Sequence, residues 1–413
     1  MERSEEGTPV RVDRDRLWGH AKALCEGIGP RLSGTPTDAR TVEYIARHFR
    51  QCGAQVEVQD YPCPAWEHEV TELSLLASGG AEPLPVFAQT FTEACDVEAE
   101  LVGIAREEDL EFAPDLEGKV LLLHGKLATS LALDRNSRVL SIEDRRPAAV
   151  IAVSPAETVS TKLLRDPFLR VPAAAVSALV GEKLLAHEGA RVRLSICARR
   201  YASTGHNVIG RLGEAGERQL VVAAHFDTAA ESPGATDNAS GTAAVLELCE
   251  AFAAVGRTGI DFVAYDAEEY GRHGGAAGGN LGSVEYVRRH PLEARTARGV
   301  VEADCIGTVA LPPRARVMGW SGAQRTGILE ALRPFSRMVV DVRPEEEAPR
   351  TAFNLPGAPV LAFVNDFGKL PIHTAQDTID LMSAEELAYN VDAIAAVVDH
   401  LSSGTAQSGQ DKE

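Results

Sequence analysis

Apolar and polar positions follow two different periods along this chain, and the changes of period predict its elements. Over 15–28 the apolar residues Leu17, Trp18, Ala21, Leu24, Cys25 and Ile28 have helical spacing, which Gly29-Pro30 ends. A second helical stretch carries Val42, Ile45, Phe49 and Cys52 and stops at Gly53; residues 54–61 then alternate as a half-buried strand does. Between 87 and 201 short strand patterns recur at 99–104, 119–123, 148–153 and 191–196, with one helix over 177–188 after VPAAAV. From Asn207 onward the pattern is βαβ. NVIGRL and QLVVAA read as neighbouring strands, and a helix over 242–255 puts Ala243, Leu246 and Ala253 on one face with Ser240 as its N-cap. Buried strands follow at 259–264, 299–303 and 358–364, and a helix over 384–401 closes the core.

This order predicts an α/β fold with a mostly parallel central sheet. Residues 1–86 and 202–405 form one discontinuous domain, 87–201 a small inserted β-rich domain, and 406–413 a disordered tail. No residue assigned to chemistry below lies in the insert.

Composition narrows the class. The chain has 413 residues, 45% hydrophobic and 24% charged, with a formal charge of −19. Such a surface repels phosphate backbones, and no basic cluster with interleaved aromatics offsets it, so nucleic acid is not an expected partner. No apolar run is long enough to span a membrane. The start, MERSEEGTPVRVDRD, lacks the apolar core of a signal peptide, and the 7 cysteines are scattered without a CxxC pair. A reduced compartment, the cytoplasm, is the expectation.

The candidate chemistry collects at strand ends. QLVVAA runs into His225 and Asp227, and a loop then leads to Asp237. The strand 259–264 runs into Glu268-Glu269, the strand 299–303 into Asp304, and the strand 358–364 leads to His373. Each alone reads equally as solvated charge, a helix cap or a loop histidine. Together, at the carboxyl edge of one α/β sheet, they fall where such sheets form their sites. Histidines mixed with carboxylates suit zinc.

The spaced motifs HFD, GATDNASG, EE, EAD and HTAQDT resemble the di-zinc aminopeptidases of metallopeptidase family twenty-eight. The opening GIGPRLSGTPTDARTVEYIARHF is similar to the start of that family, and the insert, with EGKVLLLHG and AAVIAVSP, resembles a protease-associated domain. The resemblance implies a three-layer α/β/α zinc-exopeptidase fold, two zinc ions and peptide substrates cut at the N-terminus. By the same resemblance His225 and Asp304 would hold one ion, Glu269 and His373 the other, and Asp237 would bridge them. Asp227 would orient His225, Glu268 would be the general base, and the Asp237–Asn238 peptide would be cis. A carboxypeptidase or dipeptidase could use the same centre, and a glutaminyl-cyclase-like transferase or an inactive binding module are the other readings. Two stretches depart from the family pattern: RHGGAAGGN at 272–280, expected to form a flexible rim, and 349–353, which bears on specificity.

Overall fold

The computed structural model describes residues 9–77, 79–113, 115–130, 137–163, 168–214, 219–270, 281–343, 357–366 and 370–403. The tail 406–413 and the two departing stretches, 272–280 and 349–353, lie outside the described residues.

In chain order the strands begin with β1 (Gln55–Ala77), β2 (Gly80–Leu84), β3 (Phe87–Ala88) and β4 (Cys95–Ile104). Then come β5 (Val120–Leu123), β6 (Ala149–Val153), β7 (Ala173–Val176) and β8 (Arg191–Leu212). The remainder are β9 (Leu220–His225), β10 (Ile260–Tyr265), β11 (Gly299–Asp304), β12 (Arg314–Met318), β13 (Val339–Arg343) and β14 (Val360–Val364). Their spatial order is β13-β12-β14-β11-β9-β10-β8, continuing through β4-β5-β6-β7-β3.

At the centre of the first group β14, β11, β9 and β10 are parallel neighbours. Their residues are buried on both faces: Leu220, Val222 and Ala224 of β9 face one core, with Phe252 and Val391, while Val221 and Ala223 face another, with Tyr286. Burial on both faces explains the near-continuous apolar reading of these strands and gives the three layers. The helices Arg14–Lys22, Pro36–Gln51, Ser240–Ala254 and Ala384–Ser403 cover the first face, and Leu281–Arg289 lies on the second. None of the described helices is long and apolar enough to cross a membrane.

Three local expectations are corrected. NVIGRL and QLVVAA are not neighbours: β10 lies between them, antiparallel to β8 and parallel to β9. The strand expected to end at Tyr61 runs on to Ala77 despite Pro62 and Pro64. At those positions β1 is paired only with β8, so the missing N–H groups cost no ladder bond on the open side. Finally, Ser240 is not an N-cap. Its hydroxyl donates to the Thr236 carbonyl, and the Asn238 side chain accepts from Gly241 N instead, at 2.8 Å.

β1 and β8 form a long antiparallel ribbon, from Gln55↔Arg211 to Leu76↔Arg191, which carries the chain from the large sheet to the smaller one. The smaller sheet has apolar clusters on its two faces, one around Leu121, Leu123 and Val150, the other around Leu122, Ile151 and Leu194.

Candidate metal centre

The parallel alignment of β9, β10, β11 and β14 puts their carboxyl ends along one edge, and the predicted residues meet there. His225 is the last residue of β9 and Asp304 the last of β11; Glu268 and Glu269 follow β10, and His373 follows β14. Asp237 sits between β9 and the helix Ser240–Ala254. Its Oδ1 lies 3.1 Å from His225 Nε2, and its Oδ2 lies 2.9 Å from His373 Nε2. On the first side Asp304 Oδ1 is 3.4 Å from His225 Nε2; on the second Glu269 Oε1 is 3.5 Å from His373 Nε2. Each trio, His225–Asp237–Asp304 and Asp237–Glu269–His373, brings its donor atoms within 4.8 Å of one another.

Asp227 ties the trios together. Its Oδ1 faces His225 Nδ1 at 3.3 Å and accepts Glu268 N at 3.0 Å, while its Oδ2 accepts Glu269 N at 2.9 Å. A carboxylate on Nδ1 keeps the proton on that side of the ring and turns the Nε2 lone pair toward the cluster. Glu268 is half-buried, and its charge acts on Asp304 and on Glu302, itself half-buried.

Burial works against the His225 cation, but the carboxylates of Asp227, Asp237 and Asp304 around it outweigh this and push the imidazole well above its ordinary range. For Asp237 burial raises the carboxyl, and His225 and His373 overcome this and hold it well below. Asp304 is raised, chiefly by burial. The His225 ring is thus drawn toward cationic character by the carboxylates around it. Asp304 Oδ1 and Glu269 Oε1 are buried yet accept no well-formed hydrogen bond. Unsatisfied carboxylate oxygens beside histidine nitrogens fit divalent cations, and zinc suits this donor set.

The backbone holds these groups firmly. The Asp237–Asn238 peptide is cis, and Asn238 Nδ2 donates to the Ala303 carbonyl at 3.0 Å, linking the Asp237 turn to β11. Thr242 Oγ1 donates to the His225 carbonyl at 2.8 Å. A Cβ on Gly241 would stand 2.1 Å from the Ala303 carbonyl oxygen, so only glycine lets this helix approach β11. Ala267, Cys305 and His373 have φ of 57°, 51° and 58°, left-handed conformations uncommon outside glycine; His373 is a donor, Cys305 follows one, and Ala267 precedes the Glu268-Glu269 pair.

Three functional residues were not singled out in the sequence. Asp377 accepts Thr236 N at 2.9 Å and Asp237 N at 3.0 Å, and also the Thr236 hydroxyl, and so positions the shared carboxylate. Burial raises its carboxyl to about 6. Its place in HTAQDT was the available signal. Arg31, fully buried, braces the loop after His225. Its guanidinium donates to the carbonyls of Leu24, Gly29, Phe226, Pro233 and Gly234, at 2.8–3.0 Å. Lys162, from the insert in which no chemistry was expected, buries its ammonium against Glu269.

The model of peptidase family M28 matches residues 207–398. Aminopeptidase YwaD of Bacillus subtilis (strain 168) is 27% identical over 298 residues, 69% of this chain and 60% of the relative. The chain therefore spans about 60% of the length of that relative. Among solved structures the fold is similar to BSAP, a zinc aminopeptidase from Bacillus subtilis, with TM-score 0.75 and 22% identity over 95% of this chain and 96% of the other. It is also similar to a peptidase M28 precursor from Shewanella amazonensis SB2B, with TM-score 0.76 and 21% identity over 94% and 93%.

Proposed function

From the match of residues 207–398 to the model of peptidase family M28, we propose that this chain is a two-zinc aminopeptidase that removes N-terminal residues from peptides. One observation carries the reading: the two oxygens of Asp237 face two different histidines, each backed by its own carboxylate. His225 and Asp304 would hold one ion, Glu269 and His373 the second, and Asp237 both. When bound, the ions supply Lewis acidity toward the scissile carbonyl and make water acidic near neutral pH.

The remaining work falls to side chains of this chain. Asp227 fixes the His225 ring through Nδ1 and, through Glu268 N and Glu269 N, sets the backbone from which both glutamates project. Adjacent Glu268 and Glu269 divide their tasks: Glu269 is a donor, and Glu268 takes a proton from the attacking water and delivers it to the leaving amine. The three donor carboxylates, Asp237, Glu269 and Asp304, neutralise most of the charge of two divalent ions. The aminopeptidase assignment draws on the name of the Bacillus subtilis relative.

A mixed peptide pool, with members blocked at either end, incubated with zinc-loaded protein and read by mass spectrometry, tests the proposal. Shortening from free N-termini only is the expected result. Loss from C-termini would make the chain a carboxypeptidase, cyclisation of N-terminal Gln would make it a cyclase, and an unchanged pool would refute peptide chemistry.

A further inference from the structure

Lys162 lies in the segment between β6 and β7, far in sequence from every donor of the metal centre, yet it ends among them. Its side chain is 2% exposed and that of its partner Glu269 1%. Its Nζ contacts Glu269 Oε2 and lies 3.4 Å from His373 Nε2. The ammonium therefore touches two of the three donors of the second trio.

The placement is braced from both directions. Within the smaller unit Gln89 Nε2 donates to the Ser160 carbonyl at 3.0 Å, Thr90 N to the Thr161 carbonyl at 2.8 Å, and Lys162 N to Ser160 Oγ at 3.1 Å. Toward the large unit Thr161 N donates to the His373 carbonyl at 3.1 Å, and Thr161 Oγ1 donates to the Ala230 carbonyl at 2.9 Å. His373 is a donor, and Ala230 belongs to the loop between His225 and Asp237. Thr161, just before Lys162, is thus bonded to the two loops that shape the centre.

From this we infer that Lys162 is the internal counter-cation of the second metal subsite: its ammonium neutralises Glu269 until a divalent ion displaces it. The inference rests on the two-ion reading above. A lysine is buried only when its charge is paired, and a crowded carboxylate cluster needs cations to be stable out of water. An ammonium and a divalent ion cannot both take Glu269 and His373, because like charges a few ångströms apart repel strongly in a buried site. The two subsites are consequently unequal. The first trio fills without moving Lys162, whereas the second must expel an ammonium before it fills.

Zinc titration into the metal-free full-length protein, with stoichiometry from calorimetry and lysine acetylation read by mass spectrometry, tests this. The wild type should bind in two steps, with Lys162 acetylation unchanged by the first equivalent and raised several-fold by the second. Lys162→Met should leave the first constant alone and tighten the second at least about tenfold, the order expected for removing one positive charge from that position. Lys162→Arg, which keeps the charge, should retain a weak second step. Should Lys162→Met fail to fold, the acetylation of the wild type decides the matter by itself. Two ions bound with acetylation indifferent to the second, or with constants unaltered in Lys162→Met, would overturn the inference and leave the two-ion reading standing. Failure to bind any ion would overturn both.

Discussion

Replacing Arg31 by Met removes the fork that holds the loop after His225. The guanidinium makes five hydrogen bonds to backbone carbonyls from two separate segments, Leu24 and Gly29 on one, Phe226, Pro233 and Gly234 on the other. A hydrogen bond from a charged donor is worth roughly 1.5–3 kcal/mol, so five amount to about 7–15 kcal/mol. Against this stands the desolvation of the cation, several kcal/mol, which pulls Arg31 down to about 10 and is relieved in the variant. Water entering the gap satisfies some carbonyls as well. The net loss expected is about 3–5 kcal/mol, the range for breaking a buried charged network. The assay is urea unfolding of metal-free protein, wild type against Arg31→Met, which keeps ion binding out of the comparison. Arg31→Lys should recover less than half of the loss, since an ammonium has three donors and no planar fork. A loss below about 1 kcal/mol for Arg31→Met would refute the reasoning, because it would mean that the carbonyls find other partners without strain. Zinc affinity should fall in parallel, since the same loop separates His225 from Asp237.

Glu268→Gln should keep both ions by elemental analysis and lose about 10²–10⁴-fold in turnover; near-normal turnover would remove Glu268 as the base. Asp377→Asn should weaken zinc binding about 10–100-fold, measured against a competing chelator, because one oxygen that accepts from Thr236 or Asp237 becomes a donor. His20 is held down at about 3 by burial and by the nearby His48 and Arg16 charges. In the unfolded chain it titrates near 6.5, so the unfolded state takes up the proton first. Its contribution is complete above that pH and is lost as pH falls toward 3. Between pH 7 and pH 5 His20→Gln should lose about 2 kcal/mol less stability than wild type, by urea midpoints at the two pH values; equal losses would show that His20 charges freely in the fold.

The donors were readable in the sequence because a strand buried on both faces is an unbroken apolar run, and the first polar residues after it mark the sheet edge. His225 after LVVAA is of this kind, and Asp304 follows GVVEA, a run broken only by Glu302. The partners of each strand were not readable. Whether β8 lies beside β9 or β10 depends on contacts between segments far apart in sequence, and no local period encodes that choice. Ser240 misled because serine is a common cap, while the cap role fell to Asn238, whose side chain is turned by the Asp237 turn. Arg31 follows Gly29-Pro30 and reads locally as a solvated loop residue. Its burial is decided by carbonyls that arrive from residues 226–234. Lys162 is hidden in the same way, by a contact between the smaller unit and the large one.

The alignment of four parallel strand ends makes metal uptake a form of proofreading. Because strand side chains alternate faces, a slip of β9 by one residue against β10 or β11 would turn His225 to the wrong side of the sheet. A missing β14 would remove His373 along with its approach. Neither trio is complete until strands distant in sequence are paired in register: β9 and β11 for the first, β9, β10 and β14 for the second. A divalent ion bound there would therefore favour chains with a correct sheet over misregistered ones.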